Sequence, residues 1–202
     1  MKNIQNNEEK YQKIVEGILR KSSIIMNILE VLESYAKKNP DFKNYYLAAG
    51  CINQTILNDF HGYPLDYGIE DYDIVYYDED TTYEKEDIII KDLTKRLPKN
   101  ISFDIKNQKR VPIWYNEKFN ENKKEYTSVE NAIERWNSTI TCIGVRLENN
   151  NLIIYSPYGL KDLIDMTIRP VKEDVTQELY EKKAKKWQSK WNRLTIIPWE
   201  NN

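Results

Sequence analysis

Two aspartates separated by one residue, Asp71 and Asp73, stand in the segment GIEDYDIVYYDED. They lead directly into an apolar, strand-like run, Ile74 to Tyr77. On a strand, side chains two residues apart point to the same face, so the two carboxylates would lie together. Adjacent unpaired carboxylates repel each other unless a cation lies between them, and Mg²⁺ prefers a few carboxylates with phosphate oxygens and water. The pair therefore predicts a divalent metal site.

A third carboxylate, Asp104, lies in the segment ISFDIKNQ, where apolar and polar residues alternate as they do on a half-buried strand. This alternation turns Asp104 and Lys106 to the face opposite the core residues. An acid pair alone also occurs in solvated turns. Three features favour the metal site: the apolar strand that follows the pair, a glycine turn at a helix start before it, and the third acid.

The elements that must position these acids follow from hydrophobic periodicity and from turn residues. The first forty residues predict helix, which stops at Pro40 because proline cannot continue one. YYLAAG, Tyr45 to Gly50, predicts a buried strand ending in a tight turn, and a helix closed by Gly62 follows. Further along, we predict strands over 71–77 and 101–108, helices at EDIIIKDLTKRLP and GLKDLIDM, a helix capped by Thr127 with Glu130, a hairpin around ENNN, and a last helix over 179–191.

Length and composition predict one soluble folded domain; from the strands and helices predicted above we expect it to be α+β, with a mixed β-sheet and helices on one side. The chain has 202 residues, of which 40% are hydrophobic and 31% are charged. We divide it into a helical N-terminal element at 1–40, a core at 45–170, and a C-terminal helix and tail at 175–202. Two cysteines and one histidine do not make a zinc site or a disulfide framework. The polar N-terminus and the lack of a 20-residue apolar run predict a cytoplasmic protein without a membrane partner.

Three blocks of sequence in a fixed order resemble the nucleotidyltransferase superfamily of the DNA polymerase β type. They are AAGC, Ala48 to Cys51; DYDIVYYD, Asp71 to Asp78; and FDIKNQKRVPIWY, Phe103 to Tyr115. More specifically, the chain is similar to a small bacterial nucleotidyltransferase-like family once filed as a domain of unknown function. The resemblance continues to KKAKKWQSKWNRL and so covers nearly everything after the first helix.

The resemblance implies transfer of a nucleoside monophosphate from an NTP to an acceptor hydroxyl or amine, with Mg²⁺ or Mn²⁺ as cofactor and release of pyrophosphate. Asp71, Asp73 and Asp104 match the catalytic, metal-binding acids, and Gly50 matches the glycine that contacts nucleotide phosphate. Cys51 takes the place of the usual serine or glycine, and a thiol is a poor phosphate donor. Among the basic residues that follow, Lys106 and Arg110 are expected to contact the nucleotide, with Lys109 and Arg146 as further candidates.

The acceptor is expected to be a small molecule or a protein rather than nucleic acid, because the net charge of −2 and a pI of about 5.7 do not match a nucleic-acid surface. DYDIV also fits haloacid-dehalogenase phosphatases, but those enzymes place the apolar strand before the acids. A stronger alternative is a nucleotide-binding or antitoxin-like regulatory module on the same fold, without turnover.

Overall fold

The structure is a computed structural model that describes residues 2–119 and 123–201. Helices and strands alternate over most of these ranges. The helices are α1 (Lys2–Lys21), α2 (Ser23–Ala36), α3 (Gly50–His61), α4 (Tyr83–Thr94), α5 (Val111–Phe119), α6 (Val129–Glu134), α7 (Lys161–Ile164) and α8 (Gln177–Lys190). The strands are β1 (Tyr45–Ala48), β2 (Tyr72–Tyr76), β3 (Phe103–Asn107), β4 (Gly144–Glu148), β5 (Asn151–Tyr155), β6 (Thr167–Ile168) and β7 (Thr195–Ile196).

Five strands form one mixed sheet in the order β3-β2-β1-β4-β5. The β2–β3 pair is parallel, and the other neighbours are antiparallel. Helix α4 connects β2 to β3, which makes this part of the sheet a strand-helix-strand unit. β6 and β7 form a separate two-stranded parallel sheet that the sequence did not predict. The α+β class with a mixed sheet is confirmed.

Both faces of the main sheet are covered, which corrects the expectation of helices on one side. The larger apolar cluster covers one face with buried residues of α1 to α4, among them Leu19, Leu29, Ile56 and Leu93. A smaller cluster covers part of the other face, where Val129 and Ile133 of α6 pack with Tyr46, Ala48 and Val75. The same face carries the acids, because side chains alternate along β2 and β3.

Local differences from the predicted elements have identifiable causes. The N-terminal helical run divides at Ser22, whose side chain accepts a hydrogen bond from Ile25 N and so begins a second helix. Ser128 rather than Thr127 caps α6, and its hydroxyl accepts from Asn131 N at 3.0 Å. Helix α5 was not predicted; its Pro112 is tolerated because it lies in the first turn.

Candidate active site

The parallel pairing of β2 and β3 brings two of the predicted acids side by side. Asp73 and Asp104 are direct partners in the strand register, and both lie on the face away from the main core. Asp71 precedes β2, two residues before Asp73, and is exposed. The acids thus stand before and within β2 rather than after it, which is opposite to the haloacid-dehalogenase order. The structure therefore brings all three aspartates to one region of the sheet face.

Asp73 is the most strongly perturbed of these acids. Burial raises the pKa of its carboxyl to about 7, and the neighbouring charges of Asp71 and Asp104 add to the rise. Lys106 and Lys183 act in the opposite direction but do not cancel it. A carboxylate in these surroundings is stabilised by a bound cation, since a cation offsets both the like charges and the lost hydration.

The three carboxylates fit a divalent metal by donor type, because Mg²⁺ takes hard oxygen ligands. In this structure, however, the three side chains do not surround a common metal position. Lys106 Nζ hydrogen-bonds to Asp104 Oδ2, and both side chains are about 40% exposed. As the described side chains lie, no group of three or more acidic, histidine or cysteine residues is placed to hold a metal ion. Metal binding by the full set requires Asp104 to turn away from Lys106.

The turn from β1 into α3 approaches the acids from the neighbouring strand. Ala48 in β1 is the register partner of Asp73. Ala49 follows with φ 56° and ψ −127°, a strained backbone conformation for a residue with a side chain. Gly50 then begins α3, and a Cβ at this position would stand 2.9 Å from Gln54 Nε2. The turn therefore presents backbone and the Gln54 amide, whose Oε1 is buried without a hydrogen-bond partner.

Cys51, which adjoins the glycine of the turn, has a buried side chain. Its side chain has no exposed surface, and Sγ donates to the carbonyl oxygen of Ala48 at 3.2 Å. Burial holds the pKa of the thiol well above its usual value, so the group stays neutral. Cys51 belongs to the core beneath the turn.

A cleft of about 550 Å³ opens over the acids. Asp71, Asp73, Asp104, Gly50 and Lys106 all line it. Four aromatic residues also line it, namely Trp114 and Tyr115 of α5, Trp136, which follows α6, and Trp187 of α8. The cleft thus combines acids, a helix start and flat apolar surfaces, which are the features a nucleotide requires.

Arg110, which the resemblance places among the nucleotide contacts, does not line the cleft in this structure. It pairs with Glu86 of α4, which is buried and also accepts from Asn107 N at 2.9 Å. Arg146 is likewise held elsewhere, with Glu148 at 2.8 Å. In both cases a neighbouring carboxylate forms an ion pair with the guanidinium group.

Two groups of residues that line the cleft were not predicted from the sequence as part of the site. Arg135 is 4% exposed, and its Nη2 donates to Asp174 Oδ1 at 2.8 Å, so a buried ion pair forms one wall. The other group comes from α8, which contains the run KKAKKW. The only signal in the sequence was the helical spacing of the lysines, and nothing there shows where α8 lies.

A family model described as Nucleotidyltransferase matches residues 36–196. A solved NMR structure, described as revealing a CCA-adding enzyme head domain, is similar to 93% of this chain over 95% of its own length, at 27% identity and a TM-score of 0.73. The complex of a CCA-adding enzyme with CTP matches 92% of this chain at 14% identity and a TM-score of 0.54. This chain spans 43% of that enzyme, so the match shows the fold alone. No curated protein sequence matches the chain significantly.

None of the helices in the described ranges has the length and apolar character that a membrane span requires.

Proposed function

We propose that this chain, which belongs to the nucleotidyltransferase family, moves a nucleoside monophosphate from an NTP to an acceptor hydroxyl or amine and releases pyrophosphate. The observation that carries the proposal is the direct register pairing of Asp73 with Asp104, with Asp71 two residues away, in the cleft beside Gly50. Mg²⁺ or Mn²⁺ held by these acids would align the phosphates and neutralise negative charge on their oxygens.

Other groups of the cleft would bind the nucleotide and accept the proton of the acceptor. The start of α3 at Gly50 offers backbone N–H groups to phosphate oxygens. Trp114 and Tyr115 offer ring faces against which a base or sugar can pack. The acceptor oxygen or nitrogen forms a bond to the α-phosphorus while the bond to the bridging oxygen breaks. The electron pair leaves on pyrophosphate, and the acceptor proton passes to a carboxylate of the acid group.

Lys106 has two roles in this scheme. In the metal-free protein it neutralises Asp104. With a divalent metal held by the acids, the ammonium group of Lys106, which lines the same cleft, would be available to a phosphate oxygen.

The experiment that tests this function is calorimetric binding of each of the four NTPs, with and without Mg²⁺ or Mn²⁺. Wild type is compared with Asp71→Asn/Asp73→Asn and with Asp66→Asn, an exposed acid of the preceding loop, as the matched control. We expect metal-dependent binding that the double variant loses and the control keeps. Absence of nucleotide binding by folded wild type with either metal would refute the proposal.

Acceptors are then tested by pyrophosphate release. The panel contains small molecules with hydroxyl or amino groups, the protein itself, and a short RNA with a free 3′-hydroxyl. We expect a small-molecule or protein acceptor because of the acidic net charge of the chain.

A second function, nucleotide binding without turnover in an antitoxin-like or regulatory module, is favoured by one observation: Asp104 is paired with Lys106 rather than turned toward the other acids. In that case nucleotide binding would be independent of metal, and Asp73→Asn would leave the affinity unchanged.

A further inference from the structure

One face of α8 forms the wall of the cleft that the sequence analysis missed. Leu179, Lys183, Lys186, Trp187 and Lys190 all line the cleft. Their spacing of four, three, one and three residues places them on a single side of the helix.

The charges on this wall are only partly compensated. Lys186 and Lys190 both bind the exposed carboxylate of Glu70, at 2.9 and 3.0 Å. Lys183 has no carboxylate within ion-pair distance among the described residues, yet it acts electrostatically on Asp73. Two of the three ammonium groups thus share one carboxylate and the third has none within ion-pair distance among the described residues, which leaves an excess of positive charge on this wall.

Lysines that lie across a cleft from carboxylates able to hold a metal ion favour a ligand with several linked phosphates. A metal held by the acids would neutralise one end of such a ligand, and the other end would need cations whose charge the fold does not fully compensate. Lysine is suited to this position, because its compact charge binds phosphate without a fixed geometry.

We propose that Lys183, Lys186 and Lys190 bind the β- and γ-phosphates of the donor NTP and hold the pyrophosphate as it leaves. The proposal rests on the nucleotidyl transfer proposed above and names the residues that receive its leaving group. When the bond between the α-phosphorus and the bridging oxygen breaks, the electron pair stays on the pyrophosphate, next to these ammonium groups. Glu70 occupies Lys186 and Lys190 until phosphate oxygens displace it.

The test uses two double variants on the same helix with equal changes of charge. Lys183→Gln/Lys186→Gln changes the cleft face. Lys182→Gln/Lys185→Gln is the matched control, since these lysines do not line the cleft and Lys185 pairs with Glu181. Calorimetry measures the affinity of each full-length protein, with Mg²⁺, for pyrophosphate, an NTP, the corresponding NMP and a short single-stranded RNA.

We expect the cleft variant to bind pyrophosphate and NTP at least about tenfold more weakly, because hydrogen bonds to charged groups are lost. NMP affinity is expected to stay within about twofold, since that ligand lacks the β- and γ-phosphates. The control is expected to match wild type for every ligand.

Three results would overturn the assignment. The first is unchanged affinity of the cleft variant for pyrophosphate and NTP, and the second is an equal loss of affinity for NMP and NTP. The third is a loss of affinity for RNA alone, which would mean that α8 binds the phosphates of a nucleic-acid acceptor. Wild type that binds pyrophosphate through these lysines but binds no NTP would instead refute nucleotidyl transfer. Wild type that binds NTP but no pyrophosphate would refute only the role of α8.

Discussion

Replacing Asp73 by asparagine should stabilise the metal-free protein, although it removes a central residue of the proposed site. The pKa of this carboxyl rises from 3.8 to about 7 in the folded state because of burial and the charges of Asp71 and Asp104. Because the pKa is raised in the folded state, the contribution of the Asp73 carboxyl to the free energy of unfolding is fully present below about pH 4. It is then lost as the pH rises through 7, when the folded protein must carry the unfavourable charge. Asparagine has nearly the same shape and no charge.

The size of the effect follows from the shift. About three pKa units at about 1.4 kcal/mol each give an upper bound of roughly 4 kcal/mol above pH 7. Residual solvent access and relaxation of Lys106 reduce the expected gain to about 2–3 kcal/mol at pH 8. At pH 5 the wild-type carboxyl is mostly protonated, so the gain should be smaller by roughly 2 kcal/mol.

The assay is urea unfolding of wild type, Asp73→Asn and the control Asp66→Asn in chelator at pH values from 4 to 9. We expect the gain of Asp73→Asn to grow with pH and Asp66→Asn to show no such growth. Adding Mg²⁺ should stabilise wild type and Asp66→Asn but not Asp73→Asn, since only the first two keep the intact acid group.

A variant that is less stable than wild type at pH 8 would refute the reasoning, because it would show that the ionised carboxylate accepts stabilising hydrogen bonds. A gain that does not depend on pH would refute the electrostatic cause and point to packing instead.

Three further predictions concern residues away from the acids. Cys51→Ala should lower the free energy of unfolding by about 1 kcal/mol and leave NTP affinity within about twofold, because the thiol lies in the core; a large loss of affinity in calorimetry would restore Cys51 to the site. Gly62→Ala should cost about 1 kcal/mol in urea unfolding, since position 62 has φ 69°, whereas Gly17→Ala inside α1 should stabilise by about 0.5–1 kcal/mol; equal effects would contradict the backbone argument. Trp191→Phe should lower the free energy of unfolding by about 2–3 kcal/mol because the indole Nε1 donates to buried Asn58 Oδ1 at 2.7 Å. Asn58→Ala should lower the free energy of unfolding less in the Trp191→Phe protein than in wild type, since the hydrogen bond is already absent there.

The sequence was sufficient for the elements whose signals are local. Alternation predicted which side chains of β2 and of β3 share a face, although not the register that pairs Asp73 with Asp104, and Gly62 ends α3 as predicted, in a left-handed conformation. The break at Ser22 was missed because apolar residues keep helical spacing on both sides of it. Helix α5 was missed because a proline near its start reads equally well as a turn.

The charged residues show where sequence reasoning stops. Arg110 follows β3 closely, so the sequence places it near the acids, but Glu86 of α4 binds its guanidinium outside the cleft. Cys51 adjoins the glycine turn, yet the helix turns its side chain into the core.

What the sequence determined by itself is the set of acids and the strands that carry them, because strand periodicity relates residues only a few positions apart. The same periodicity places Lys106 beside Asp104, but tertiary structure alone decided which cations from distant parts of the chain face those acids. The lysines of α8 follow Asp104 by some eighty residues, and their place opposite it depends on how the helix packs, not on any local pattern. For a polar side chain on a helix, periodicity predicts which residues share its face; only packing of that helix on the rest of the chain decides what the face meets.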